Sequence, residues 1–233
     1  MTFRNLKGHK RLHLSLGAGL CALFVFAASA SAVVYVYKNT FGSKSSYNEI
    51  DLISGGNKCE RSFIEDNKAM RIDMRGQTFC EYSPPVTGDA DQPDHEIVAD
   101  GKILDATPKN VREQAYLEVR VRVGDGTWYE FRVHPKGKKY RFSREPAGDS
   151  SGLPISGTAN QINPIGQNNK LRLRITGNDV TAFVNGMSVE TYNDPNPGQV
   201  TGRKVAFGLG STKKANPGPV ARYGSVKVGV PTP

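Results

Sequence analysis

The feature that most narrows the fold of this chain is a period-two alternation of apolar and polar residues that restarts, turn after turn, from residue 59 onward. Leu117, Val119, Val121 and Val123 alternate with Glu118, Arg120 and Arg122. Gly124-Asp125-Gly126 interrupts them as a hairpin turn, and Tyr129, Phe131 and Val133 then alternate with Trp128, Glu130 and Arg132. Pro135-Lys136-Gly137 turns the chain again, into Tyr140 and Phe142 with Arg141 and Ser143 opposite. The same pattern recurs at Met70, Ile72 and Met74, at Leu171, Leu173 and Ile175, at Val180, Ala182 and Val184, and at Val205, Phe207 and Leu209. Met187 and Val189 follow Asn185-Gly186, a strong type I′ hairpin signal, and Val226 and Val228 close the set. Roughly nine or more short strands joined by tight turns predict an all-β chain, a two-sheet antiparallel jelly-roll sandwich with one face of each strand packed inward. After residue 38 the sequence has no convincing helical period, although 109–115 has room for one turn.

The N-terminal region reads differently. Residues 12–37 contain no Asp, Glu, Lys or Arg, and as a helix they reach about 39 Å, more than the roughly 30 Å hydrocarbon core of a bilayer. Arg4, Lys7, Lys10 and Arg11 precede them, so the positive-inside rule places residues 1–11 in the cytoplasm and everything after the run outside. An uncleaved transmembrane signal-anchor over 12–37 is the leading expectation, because the apolar run continues through Val33, Val34, Tyr35, Val36 and Tyr37. A cleaved signal peptide competes with it, since Ala28-Ser29-Ala30 and Ala30-Ser31-Ala32 have cleavage-type spacing. Both export the rest: a Ser-, Gly- and Asn-rich stalk over 38–58, then a sandwich ectodomain over 59–230.

Export bears on the cysteines. Cys21 lies in the apolar run, whereas Cys59 and Cys80 lie outside, where an oxidising compartment permits a disulfide. Two free buried thiols are the competing reading, and no C-x-x-C or paired His accompanies them to suggest zinc. The net charge of +9 suggests nucleic acid at first sight. Five of the 31 basic residues, with no acid, lie in residues 1–38, however. The remaining chain has 26 basic and 22 acidic residues, which fits a mildly basic exported domain with no nucleic-acid partner.

A resemblance joins the periodicity. The stretch from Asn168 and Lys170-Leu171-Arg172-Leu173 through Gly177 and Val180 to Phe183-Val184-Asn185-Gly186 is similar to the N-x-L-x-V-x-x-x-G-x-x-I-x-L-Y-V-N-G hairpin of concanavalin A-like, laminin-G-like sandwich domains. Gly126-Thr127-Trp128-Tyr129-Glu130-Phe131-Arg132-Val133 resembles their N-x-Y-x-F-x-V strand. Gly202-Arg203-Lys204-Val205-Ala206-Phe207-Gly208 resembles their G-x-V-G-L strand, and Ser62-Phe63-Ile64 with Met70-Arg71-Ile72 their opening pair. The likeness covers about residues 50–229 and implies the fold, not the ligand, because the fold hosts lectins, glycanases, adhesion modules and sensor ectodomains.

Glycanases of this fold carry E-x-D-x-x-E on one strand. Here Glu49-Ile50-Asp51 begins that way, but Ser54 replaces the final Glu, so the acid/base partner is missing. Gly148-Asp149-Ser150-Ser151-Gly152 matches G-x-S-x-G in letters but lacks the strand-then-helix setting of a nucleophile elbow. His134, before Pro135, reads as a solvated turn residue. Asp89, Asp91 and Asp94 share one loop, and laminin-G-like domains often hold calcium at their rim, so calcium is the one cofactor to consider; otherwise none is expected.

The polar face carries the sharper expectation. Period two turns Glu118, Arg120, Arg122, Trp128, Glu130, Arg132, Arg141, Arg172, Arg174, Thr181 and Phe183 away from the core. If their strands share a sheet, one face presents six Arg, two Glu, the chain's single Trp and a Phe. Aromatic rings stack on sugars, and Arg forks match carboxylate or phosphate, so the expected role is non-enzymatic recognition of carbohydrate or an anionic cell-envelope polymer. The competing expectations are a solvated face of cross-strand Arg–Glu pairs, a protein-interaction or sensor ectodomain partnering a membrane protein, and a glycan-processing enzyme using Glu118 and Glu130. The enzyme reading is weighed against the neighbouring Arg, which favour ionised carboxylates, whereas a general acid needs a raised pKa.

Overall fold

The structure is a computed structural model describing residues 33–85, 94–124, 126–145 and 153–231. Its strands are β1 (Val33–Asn39), β2 (Asp51–Ser54), β3 (Cys59–Ile64), β4 (Ala69–Met74), β5 (Phe79–Ser83), β6 (Glu96–Ile103), β7 (Ala115–Gly124), β8 (Thr127–His134), β9 (Lys139–Glu145), β10 (Ile155–Thr158), β11 (Asn169–Thr176), β12 (Asp179–Val184), β13 (Met187–Asn193), β14 (Lys204–Ser211) and β15 (Val220–Pro231). One five-residue helix, α1 (Lys44–Asn48), precedes β2 and is capped by the Ser43 side chain. The strands form two antiparallel sheets. One has the order β13-β12-β11-β6-β15-β4-β3, with β1 also on β15; the other has the order β10-β9-β8-β7-β14-β5-β2. This is the all-β jelly-roll sandwich that the alternation predicts.

The inward residues of the two sheets make one core. Met70, Ile72, Ile97, Leu171, Leu173 and Val226 face Leu117, Val119, Tyr129, Phe131, Phe142, Phe207 and Leu209, all sealed from solvent. Tyr223 and Phe207 meet edge to face across the sheets, ring centroids 4.9 Å apart. The hairpins follow their turn chemistry. Asn185 and Gly186 both take positive φ (50° and 90°), the backbone of a type I′ turn, between β12 and β13. A disulfide joins Cys59 of β3 to Cys80 of β5, and so ties one sheet to the other.

Two sequence expectations change. Residues 33–37 are in β1, where Val33 pairs with Pro231 and Tyr37 with Val228, so a membrane helix cannot extend over 12–37. The remainder of that run lies outside the described residues, among which no helix is long and apolar enough to cross a membrane. The run misleads because β1 lies beside only β15 and carries apolar residues on both sides, with Val34 56% and Tyr35 45% exposed. Residues 38–58 are likewise not a free stalk. Phe41, Tyr47 and Ile50 enter the core and β2 adds a strand to the second sheet, so residues 33–58 are part of the sandwich. The one turn allowed for at 109–115 is hydrogen-bonded turn rather than helix.

Candidate functional site

Strand alternation reports which side of a strand faces the core, not which sheet the strand joins. That ambiguity decides the fate of the predicted single face. β7, β8 and β9 belong to the seven-stranded sheet, whereas β11 and β12 belong to the other. Arg172, Arg174, Thr181 and Phe183 therefore lie on the opposite outer surface from Trp128, and the expected eleven-residue face does not exist. There, Arg172 lies over the Phe183 ring at 3.6 Å and Arg174 pairs with the buried Glu96 at 2.7 Å, so both cations are held by neighbours on the same sheet. Arg122 also leaves the set. It occupies the bulge that ends β7–β8 pairing, with φ of 52°, and its guanidinium donates to the Pro197 carbonyl at 3.0 Å.

The residues that do come together are Trp128, Glu130, Arg132 and Arg120, with Glu118 and Arg141. Cross-strand register places Glu118 opposite Arg132, Arg120 opposite Glu130 and Arg132 opposite Arg141. Next to β7, strand β14 turns Ala206, Gly208 and Gly210 to the same side, opposite Arg120, Glu118 and Tyr116. These small residues let the long side chains lie down on the sheet. A Cβ at Gly210 would sit 2.0 Å from the Tyr116 ring, and one at Gly208 would sit 3.1 Å from a Glu118 carboxyl oxygen. Beyond β14, Glu81 of β5 completes the cluster.

Arg120 is the hub. Its Nη1 lies 2.7 Å from Glu81, its Nε donates to Glu130 at 2.8 Å, and its Nη2 lies 3.7 Å from Glu118. Arg132 reaches Glu130 at 2.7 Å and Glu118 at 3.4 Å, and the Ser143 hydroxyl donates to Glu130 at 3.0 Å. Glu81, Glu118, Glu130 and Arg120 are all buried. The half-buried Trp128 ring lies 4.9 Å from the Arg120 guanidinium, and Tyr116 lies 4.4 Å from that of Arg132. The solvated pairs weighed above are present in register, but as an enclosed network.

Enclosure reverses one electrostatic expectation. Burial pushes the Glu118 carboxyl up to about 8 from an ordinary 4.5; Arg120 opposes this, while Glu130 and Glu81 add to it. Neither Glu118 oxygen has a hydrogen-bond partner among the described residues, as suits a carboxyl that stays protonated near neutral pH. Burial raises Glu81 in the same sense. His134 is not a solvated turn residue: it is half-buried, 5.2 Å from the Tyr116 ring, and falls to about 4 through burial and then through Arg132, Lys139 and Arg141.

These shifts fix a pH profile. A carboxyl raised from 4.5 to about 8 contributes stability that is complete below 4.5 and lost as pH rises to about 8. A His lowered from 6.5 to about 4 contributes stability that is complete above 6.5 and lost as pH falls to about 4. The two slopes oppose each other between 4.5 and 6.5, and only the glutamate slope remains between 6.5 and 8. Unfolding free energy is therefore expected to fall from pH 6.5 to 8, and Glu118→Gln is expected to flatten that fall in urea melts across the range. An equal slope in the variant would contradict the assignment.

Of the other sequence candidates, Glu49 follows α1 and accepts the Tyr37 hydroxyl at 3.4 Å, and Asp51 is exposed on the edge strand β2. Asp89 and Asp91 of the calcium loop, and the Gly148–Gly152 motif, lie outside the described residues; Asp94 accepts the Gly177 amide at 2.8 Å. Among the described residues no group of acids, His or Cys is placed to hold a metal ion. Sequence reasoning missed Glu81 and Tyr116. The flanking inward residues Cys80 and Tyr82 were the signal available for Glu81.

No protein-family model and no curated protein sequence matches this chain. Solved structures do. A protein of unknown function with a galectin-like fold from Bacillus subtilis is 11% identical with a TM-score of 0.58, covering 85% of this chain and 98% of that one. A Bacillus licheniformis β-glucanase is 12% identical with a TM-score of 0.56, covering 82% and 96%. The CBM2 module of the evolved Dit of Lactobacillus casei BL23 phage J-1 is 10% identical with a TM-score of 0.56, covering 86% and 97%. At such identities the likeness concerns the fold alone: the chain is a galectin-like, concanavalin A-like jelly-roll sandwich.

Proposed function

We propose that this chain is an exported, non-enzymatic carbohydrate-binding module whose ligand lies across the outer face of the seven-stranded sheet, stacked on Trp128. The observation that carries the reading is the setting of that ring. It is supported by Arg120 and lies between grooves of about 240 and 580 Å³, both lined by Trp128 and Arg120. A ring held in place and half-exposed between two grooves offers a rigid plate for a sugar face, with Arg132, Arg141 and Ser143 at hand for hydroxyls and acidic groups. Binding is favoured over catalysis because carboxyls that cleave a glycosidic bond must reach it. Glu81, Glu118 and Glu130 are buried, and Arg120 lies within ion-pair reach of all three, with Arg132 also on Glu118 and Glu130. The fold's occurrence in a β-glucanase and a CBM2 module agrees with a sugar ligand.

Export draws support from the Cys59–Cys80 disulfide, which belongs to an oxidising compartment, and from the uncharged run after the basic residues 4–11. With residues 33–37 in β1, that run reaches only to residue 32. This leaves 21 uncharged residues for a signal-anchor, about 31 Å as a helix, or places a cleavage site after Ala32. The test is binding of the purified full-length protein to neutral and anionic glycans and envelope polymers, with Trp128→Ala alongside. Saturable binding weakened about 30-fold or more in the variant, with unchanged melting, is expected. Equal binding by both proteins would refute the site. A second reading, protein docking, is favoured by the exposed Val34, Tyr35 and Val36 of β1 and predicts no glycan binding at all.

A further inference from the structure

We infer that the saccharide taken by this face is acidic, and that its carboxylate or phosphate groups occupy a separate basic cleft where β8, β9 and β10 meet. The inference rests on the carbohydrate-binding reading above. The cleft has a volume of about 570 Å³, and its lining includes His134, Lys136, Lys139, Arg141, Ser156 and Lys213. Arg141 lines both this cleft and a Trp128 groove, so one extended ligand passes from the ring into the cleft.

The charge of the cleft is unbalanced. Register sets Arg132 directly opposite Arg141, a like-charge pair of the kind that destabilises a sheet, and sets the neutral His134 opposite Lys139. Arg132 is answered by Glu130. Lys136, Lys139, Arg141 and Lys213 form no ion pair with a described residue, and Glu113 is the sole carboxylate in the lining. The groups facing the His134 ring are Tyr116 from β7, Arg132 from its own strand, and Lys139 and Arg141 from β9. Burial first, and then repulsion from these three cations, holds the imidazole in its neutral form. An anion bound among these cations removes that repulsion. The Arg fork and Lys ammoniums take the acid, and the Ser156 and Thr212 hydroxyls are placed in the lining for sugar hydroxyls.

Binding of an acid and protonation of His134 are therefore linked, which supplies a readout in the cleft itself. Histidine side-chain NMR titrations of the full-length protein, with the His134 signals assigned by their loss in His134→Gln, are run with trigalacturonate, a neutral trigalactoside, a phosphorylated trisaccharide or inorganic phosphate. Trp128 fluorescence is followed in parallel. The expected result is a His134 pKa rising by about one unit or more with an acidic trisaccharide and unmoved by the neutral one. Arg141→Gln is expected to weaken acidic binding about ten-fold while melting stays unchanged. Saccharide binding seen at Trp128 with His134 unmoved overturns the acidic cleft and leaves the carbohydrate reading intact. Silence at both residues with every saccharide overturns both readings. A His134 shift with inorganic phosphate equal to that with the trisaccharides overturns the saccharide assignment in favour of a small-anion site.

Discussion

Arg120→Ala is expected to lower unfolding free energy by about 3–5 kcal/mol, a drop of about 6–20 °C in melting temperature for a domain of this size. The reason is the asymmetry of a buried ion cluster. Arg120 is 6% exposed, and its guanidinium is shared among Glu81, Glu130 and Glu118. Taking it away leaves Glu81 with no cation in contact and Glu130 with Arg132 alone, in a place that water cannot replace. Arg120→Lys is not expected to rescue stability, because one ammonium cannot spread its donors over three carboxyls as a planar fork does. Glu118→Gln, by contrast, removes no charge that is present at neutral pH and is expected to cost little there. Urea melts of the three variants at pH 7 check this ordering. A loss below about 1 kcal/mol for Arg120→Ala would mean that the cluster is solvated after all.

Removing the Cys59–Cys80 disulfide is expected to cost about 3 kcal/mol, since the bond closes a loop with a sequence separation of 21. It acts at a decisive place. Cys80 is sealed in the core of β5 and Cys59 begins β3, so the bond fastens one sheet to the other next to Glu81. A Cys59→Ala, Cys80→Ala double variant and reductant-treated wild type should melt at the same lowered temperature, and reductant should leave the double variant unmoved. A reductant shift in the double variant, or none in the wild type, would contradict this account.

Much of the fold was legible because hairpins advertise themselves. β4, β7, β8, β11, β12 and β14 each alternate strictly, and turns such as Asn185-Gly186 have one dominant backbone solution. β6 was not legible, although it lies at the centre of its sheet between β11 and β15. Its inward series is Ile97, Ala99, Gly101 and Ile103, and the Gly101 position is filled by the Tyr223 ring, 2.6 Å from where a Cβ would stand. The core is complete there, but the apolar residue comes from β15. β1 failed for the opposite reason, being apolar on both sides.

The site was half legible. Alternation placed Trp128, Glu130, Arg132 and Arg120 on one outer face correctly, and cross-strand pairing brought them together. The same alternation was unable to separate them from Arg172 and Arg174, because sheet membership depends on which strands pair over long sequence distances. The electrostatic reading erred where burial mattered. Two neighbouring arginines suggested an ionised Glu118, but the glycines of β14 let the cluster close over that carboxyl, and desolvation prevails. No local pattern in β7 announces what β14 provides.

Trp128 is the only tryptophan of the chain, so its emission reports on the proposed plate without interference. The most direct measurement is a fluorescence titration of the full-length protein with the neutral and acidic glycans of the binding panel. The account predicts a saturable change in Trp128 emission whose midpoint matches the affinity measured by calorimetry. Calorimetric glycan binding with Trp128 emission unchanged would contradict it and place the ligand elsewhere on the sandwich.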